Sequence, residues 1–367
     1  MKTNKKIKIA YIINAINKTG PGNVVFNILT QLDHTKFEPI LITLFIGNDI
    51  KVINDLKQIG VKVIECHNKS RIKFLIQNYK KLKKILANES IDIIHSHGII
   101  PDFITVKFLK SKKRFTTIHN KMQDDYFYEY GAIIGFFMVK SHQKLLKKFD
   151  IVVGCSTYVY NSLLPFSNNI CCIRNGINLE SMNETITRKD LGIPEHAYVF
   201  LYVGRFIRRK NIIGLVKMFL RYHTDEEYLI LTGDGPDFNY CKELADHHII
   251  FTGFQKNPAK YYNISDIYIS ASKSEGFSIS MIEALGYGLG LMVSDIPAHK
   301  EFFSIENKTY LGELFSTNTF EKKLLNLRLK RKLIEKEKIQ YFQKNNLSAK
   351  IMTRQYEKIY CKYGDNI

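Results

Sequence analysis

The sequence predicts an α/β protein of two parallel-sheet domains, and three observations predict it. Short β-type runs alternate with longer amphipathic segments from end to end, the pattern of a parallel sheet covered by helices. One polar stretch without a sustained period, Gly176 to Pro194, interrupts the alternation. A second β/α series then begins, and 367 residues with 45% hydrophobic content suffice for two cores of ordinary size.

The first series opens with a strand at Lys8–Ile13, a Gly-rich turn Thr19-Gly-Pro-Gly22 and a helix near Asn23–Leu32. Further strands are predicted at Glu38–Phe45, Val61–Glu65, Ile91–Ser96, Arg114–His119, Ile151–Cys155 and Cys171–Arg174. The second series places strands at Tyr198–Val203, Tyr228–Thr232, His248–Thr252, Asp266–Ala271 and Leu291–Ser294. Beyond residue 318 the chain reads as helical and charge-rich. Its last helix, Ser348–Tyr363, carries Ile351, Met352, Tyr356, Ile359 and Tyr360. Domains are therefore expected at 1–180 and 181–345, with the helix at about 348–363 crossing back onto the first. Open α/β sheets bind ligands beyond the carboxyl ends of their strands, so two such domains face to face would hold a site in the cleft between them.

Composition bounds the class. No stretch approaches the ~20 apolar residues of a membrane span. The lysines of residues 2–8 precede only the short Ile9–Ile16 run, without a small-residue cleavage site, so the chain is expected to stay in the cytoplasm. Six cysteines show no C-x-x-C and no metal-ligand spacing with the eleven histidines, which predicts reduced, mostly buried thiols. The adjacent Cys171 and Cys172 have no assigned role. Of the net charge of +19, residues 1–180 carry 27 Lys+Arg against 13 Asp+Glu, leaving 27 against 22 for the rest. That asymmetry fits nucleic acid, an anionic membrane surface or an acidic ligand, and a lysine-rich codon bias would produce part of it.

The most informative stretch is Ser272–Asp295, where Glu275 and Glu283 bracket a glycine turn and a helix start. Gly276 lets backbone approach a ligand closely, and Ser278 or Ser280 can cap a helix running to about Tyr287. The start of that helix suits a diphosphate, and Glu283 lies about 7 Å further along, where a carboxylate can accept from two ribose hydroxyls. A bare Glu-x7-Glu also fits a surface helix with two solvated glutamates.

Upstream, Tyr202–Asn211 follows a strand; Gly204 turns the chain while Arg205 and Lys210 offer a planar fork and a point charge for phosphate oxygens. Arg208 and Arg209 add charge without such a role. The turn Leu231-Thr-Gly-Asp-Gly-Pro236 contains Gly233, and Thr252-Gly-Phe254 ends another strand. In the first domain, Asp92–Gly98 and Thr116–Asn120 end strands with His97 and His119, and His95 lies two residues before His97. Strand-end histidines are more often structural than reactive.

The order Gly-Arg-x4-Lys (204–210) and then Glu-x7-Glu (275–283) resembles the retaining glycosyltransferases of family 4, whose fold is GT-B, two Rossmann-like domains facing across a cleft. The resemblance implies a hexosyltransferase-type enzyme whose nucleotide-diphosphate sugar sits mainly on the second domain. By it, Arg205 and Lys210 fall on the positions that bind the diphosphate. Glu275, Gly276, Phe277 and Ser278 would lie along the donor, with Glu275 on sugar hydroxyls and Glu283 on the ribose. Gly204 and Gly233 would form donor-side turns, and backbone at Phe254 would follow the nucleobase. His119 matches the active-site histidine, with His97 and His95 behind it. Gly20 and Gly22 resemble the loop that contacts phosphates and shapes the acceptor side.

Retention would come from front-face attack assisted by the leaving diphosphate, without metal or other cofactor. Two departures weaken the match: Asn23 stands where an acidic residue is usual, and Gly290 where a proline is common.

The acceptor implied is a saccharide or polyprenyl-linked saccharide of bacterial capsule, O-antigen or exopolysaccharide biosynthesis. Tyr126–Phe149 combines aromatics, an apolar run and trailing lysines, and Arg71–Leu86 is strongly basic. Both fit a peripheral seat on the anionic inner face of the plasma membrane, each surface cation adding about 1 kcal/mol; a core-packed helix fits the first equally. The alternatives are a UDP-sugar 2-epimerase sharing the donor site, or a basic nucleic-acid-binding protein. No nucleic-acid partner is expected, since helix-turn-helix, zinc-finger and RNP-type motifs are absent.

Overall fold

The computed structural model describes residues 5–17, 20–69, 79–108, 112–179, 184–305 and 309–364. It divides into two compact units, Met1–Ile177 with Ser348–Ile367, and Asn178–Leu347. The expected breaks were 180/181 and 345. Residues 71–78 of the basic segment, Thr19 of the Gly-rich turn and 180–183 of the expected linker lie outside the described residues.

The first unit holds a parallel sheet of β1 (Ile7–Ile13), β2 (Phe37–Phe45), β3 (Lys62–Asn68), β4 (Ile93–His97), β5 (Lys113–Ile118), β6 (Ile151–Gly154) and β7 (Ile170–Cys172), in the order β3-β2-β1-β4-β5-β6-β7. Its inner strands are buried on both faces, as near-continuous apolar runs such as Phe37–Phe45 require, whereas the edge strands β3 and β7 are largely half-buried. The order reverses between β1 and β4, which pair from Ile9↔Ile93 to Ile13↔His97. A reversal opens a crevice at the carboxyl ends of those two strands.

The second unit repeats the plan with β8 (Tyr198–Val203), β9 (Glu227–Thr232), β10 (Ile249–Gly253), β11 (Ile267–Ser270), β12 (Gly290–Ser294) and β13 (Gly312–Phe315), ordered β10-β9-β8-β11-β12-β13. Here the reversal lies between β8 and β11. Phe200, Phe206, Phe219, Leu231, Met292 and Phe320 fill its core. β13 is absent from the predicted strands because its four residues, with a glycine and Glu313, make no β-type run.

The helix Ala349–Gly364 buries Met352, Tyr356 and Tyr360 at helical spacing against the first unit's sheet. Tyr360 meets Tyr11 of β1, and Tyr356 meets Thr117 of β5. Each aromatic ring fully buried in this way contributes about 1.5–3 kcal/mol.

Two local expectations are corrected. The first helix runs Gly20–Gln31, so Gly20 and Gly22 form its opening turn rather than a loop before it. A Cβ on Gly22 would collide with the Asn17 backbone, which needs that close approach. All six cysteines are free, but only Cys155 and Cys241 are buried.

Candidate functional site

In the second unit, the turns after β8, β9 and β10 lie side by side. Gly204 N–H donates to the Thr232 carbonyl and Gly233 N–H to the Gly253 carbonyl. Gly233 has φ +141°, and any Cβ there would strike the Gly204 carbonyl oxygen. Glycine is therefore dictated by both backbone and space.

Beyond β8 the chain reaches Arg209 and Lys210; beyond β11 it reaches Glu275. Lys210 Nζ donates to Glu275 Oε1 at 2.5 Å, while Arg209 donates to the Ser274 carbonyl at 2.8 Å and lies 3.5 Å from Glu275 Oε2. Glu275 is 6% exposed. Burial alone raises its carboxyl, but the Lys210 and Arg209 charges outweigh burial and hold it at about 2. The structure thus gives Arg209 the pairing that its sequence context hid. Arg205, by contrast, is exposed and makes no ion pair among the described residues.

Gly276, Phe277 and Ser278 are buried and lead into the helix Ile279–Gly286. Ser278 occupies its N-cap position but does not cap it: the hydroxyl is 3.2 Å from that of Ser280, which in turn meets Tyr268. The expected serine cap is absent because these hydroxyls pair sideways, leaving the helix's positive end without an N-cap side chain. Glu283 accepts from the Tyr262 hydroxyl at 2.8 Å. Phe254 is 72% exposed just past β10.

One member of this site carries no sequence signal. His299, fully buried on the helix Pro297–Ser304, donates from Nδ1 to the Ser294 carbonyl at 2.9 Å, and its Nε2 has no partner. Burial lowers it to about 4 although Glu275 pulls the other way.

In the first unit, a cavity of about 310 Å³ sits at the carboxyl ends of β1, β4 and β5, lined by Asn14, Gly22, His97, His119, Tyr126 and His142 among others. His97 Nδ1 is 2.9 Å from His119 Nε2, and His97 Nε2 is buried without a partner. Burial lowers both imidazoles, His119 to about 4. His95 shares their face of the sheet one pleat deeper. There it bonds Tyr360 and Thr117 and is fully buried, a core residue rather than a site residue. Gly20 is exposed, with nothing near its Cβ position.

Behind the Tyr126 and His142 wall of this cavity lies a relay not anticipated from sequence. Asp102, fully buried, accepts Ser96 and Thr116 on Oδ1 at 2.6 and 2.7 Å and His142 Nε2 on Oδ2 at 2.7 Å. With His142 Nε2–H donating to Asp102, Nδ1 of the neutral ring accepts the Tyr126 hydroxyl at 2.6 Å. In that tautomer the phenol oxygen of Tyr126 has spent its proton and can only accept from a ligand. A lone aspartate in the apolar run Ile99–Phe108 was the one available hint.

Tyr126 and His142 belong to the helix Met122–Leu146, which kinks at Gly131 (φ 77°, ψ 174°). Its inner residues Tyr126, Val139, His142 and Leu146 are buried, whereas Phe127, Tyr128, Ile133, Ile134, Phe136 and Phe137 are exposed, Ile133 at 76%. The segment therefore packs on the core by one side only.

Two family models tile the chain: Glycosyltransferase Family 4 over residues 19–181 and Glycosyl transferases group 1 over 183–346. The chain belongs to the group 1, family 4 glycosyltransferases. It is 28% identical over 312 residues to the O-antigen biosynthesis glycosyltransferase WclY of Escherichia coli, covering 81% of this chain and 82% of that protein. Over 372 residues, 96% of each chain, it is 25% identical to the Campylobacter jejuni N-acetylgalactosamine-N,N'-diacetylbacillosaminyl-diphospho-undecaprenol 4-alpha-N-acetylgalactosaminyltransferase. Sucrose-phosphate synthase from Thermosynechococcus elongatus superposes with a TM-score of 0.79 at 16% identity over 99% of this chain and 100% of its own. The glycosyltransferase has the GT-B fold and is a hexosyltransferase. Among its described residues no helix is long and apolar enough to cross a membrane.

Proposed function

We propose that this glycosyltransferase moves a sugar, with retention, from a nucleotide-diphosphate donor to a hydroxyl of a lipid-linked saccharide in bacterial surface polysaccharide biosynthesis. The observation that carries the reading is the cluster Arg209, Lys210 and Glu275 at the β8/β11 reversal, beside a helix start without an N-cap side chain. Two cations and a helix dipole suit a diphosphate without any metal.

Lys210 and Arg205 bind the diphosphate, and the cations released from Glu275 by the incoming anion free that carboxylate for sugar hydroxyls. Glu283 holds the ribose, Gly276, Phe277 and Ser278 line the donor, and backbone at Phe254 follows the base. The acceptor O–H attacks the anomeric carbon on the face the diphosphate leaves. A C–O bond forms, the bond to the diphosphate breaks, and the proton passes to a diphosphate oxygen. Lys210, Arg205 and the helix end stabilise the departing charge. His97 and His119, both held neutral by burial, are suited to hydrogen-bond hydroxyls rather than to carry charge.

The names of the relatives support a lipid-linked acceptor. So does the exposed apolar tip of the helix Met122–Leu146, followed by the exposed Lys140, Lys144, Lys147 and Lys148. An apolar wedge trailed by cations fits the anionic inner leaflet.

The test incubates the enzyme with a panel of nucleotide sugars and a polyprenyl-diphosphate saccharide in EDTA, and reads the product by NMR. A glycosylated acceptor with the donor's anomeric configuration is expected. Epimerised donor without acceptor, inversion, or activity restored only by magnesium or manganese would each overturn the corresponding part. Sedimentation with anionic vesicles at low salt should capture the wild type and lose a variant with Lys144, Lys147 and Lys148 reversed to glutamate.

A further inference from the structure

At the amino ends of β9 and β10, opposite the donor motif, His223, Asp246 and His248 converge so that one nitrogen or oxygen from each lies within 4.8 Å of the others. His223 follows the helix Ile212–Tyr222, and Asp246 and His248 immediately precede β10. His223 Nε2 is 3.2 Å and His248 Nδ1 3.6 Å from the same Asp246 oxygen, Oδ2.

The hydrogen bonds around the cluster fix which atoms point inward. His223 Nδ1 is 3.1 Å from the Thr224 carbonyl, so it must donate, and in the neutral ring Nε2 is a lone pair facing Asp246. Asp246 Oδ1 accepts the His248 backbone N–H at 3.0 Å, which turns Oδ2 toward both rings. His248 is 5% exposed, and its Nδ1 is buried without a hydrogen-bond partner. The His223 ring is also held parallel to Phe219, 7° apart. The His223 Nε2 lone pair and the unsatisfied His248 Nδ1 face one carboxylate oxygen, an arrangement that a cation among the three would satisfy.

We propose that His223, Asp246 and His248 form a site for a divalent transition metal of the zinc class. Two imidazoles and one carboxylate are the ligand chemistry that ion prefers, with water completing the coordination. Adjacent ligand atoms about 3.3 Å apart follow from metal–ligand bonds of about 2.0–2.1 Å in a tetrahedron, close to the two separations seen. The outer contacts, a carbonyl on His223 and a backbone N–H on Asp246, are those that hold metal ligands in place. The ion would tie the end of the 212–222 helix to the start of the edge strand β10. It is a staple remote from the donor motif and independent of the proposed transfer reaction.

The test uses the full chain stripped of metal, titrated with Zn²⁺ by calorimetry and with Co²⁺ by visible absorption. Saturable binding at one ion per chain is expected, with the visible bands of low-coordinate Co²⁺. At a hundredfold excess of Zn²⁺ over Kd, Tm should rise by about 5 °C or more. Asp246→Asn, which keeps the shape and the backbone contact, and His223→Gln should each weaken binding about 100-fold or more. Circular dichroism of both variants separates a lost ligand from a lost fold. The proposal is overturned if the wild type binds no stoichiometric ion, or if both folded variants bind as tightly as the wild type. It is equally overturned if the cluster shows only pH-dependent ion pairing, with Tm indifferent to metal.

Discussion

The two units share one sheet plan and place a candidate site at the same topological point, yet the sites are built from opposite chemistry. In the second unit, Glu275 is ionised and held by Arg209 and Lys210 beside a positive helix end. In the first, His97 and His119 are pushed toward the neutral form, and Asp102 is covered by hydroxyls and His142. A charged ligand can exchange partners with the first kind of site, whereas the second can only trade hydrogen bonds. On the proposed reading, one fold thus provides a seat for a diphosphate and a seat for sugar hydroxyls.

The largest effect that separates the two seats is on turnover. Lys210→Ala or Arg205→Ala should lower the transfer rate about 100-fold or more, the scale of losing one preorganised stabiliser of developing charge. Steady-state kinetics with saturating donor checks it, and near-normal rates in both variants would remove the diphosphate assignment.

Tyr126→Phe should act on the other seat and less severely. Deleting one hydrogen bond of about 0.5–1.5 kcal/mol lowers acceptor kcat/KM by roughly 2- to 13-fold. Donor KM should be unchanged. An equal rise in donor KM would show that the distinction between the seats is false.

How much of this was readable in the sequence follows from where the partners lie. Gly204, Lys210 and Glu275 each sit a few residues past a strand end, so local pattern and order found them. Arg209 was hidden in a run of basic residues, where no spacing tells a paired guanidinium from a solvated one. Tyr126, His142 and Asp102 meet across 16 and 40 residues, through a kink at Gly131 that no periodicity announces. His95 and His97 look alike in sequence, and only the cover supplied by Tyr356 and Tyr360 makes one of them core.

The smallest effect is on acid stability. His95 is lowered to about 3 and His119 and His299 to about 4, chiefly by burial, and His97 moves the same way. Unfolded histidine binds its proton near pH 6.5, so the stability from these neutral rings is complete above 6.5 and is lost as pH falls toward 4. Glu275 acts below that window: its contribution persists above about 4.5 and is lost as pH falls through about 2. Tm should fall by about 5 °C or more between pH 7 and pH 4.5. Three of the four histidines lie in the first unit, so His299→Asn should leave most of that fall in place. A flat Tm profile would contradict the neutral assignment.

The division of labour between the seats is tested most directly by titrating a nucleoside diphosphate, UDP first, into wild type, Lys210→Ala and Tyr126→Phe by calorimetry. Binding should weaken about tenfold or more in Lys210→Ala, the loss of a charge-assisted contact to phosphate, and stay within twofold of wild type in Tyr126→Phe. Nucleotide that binds Lys210→Ala as tightly as wild type, or that is lost on Tyr126→Phe, would contradict the account.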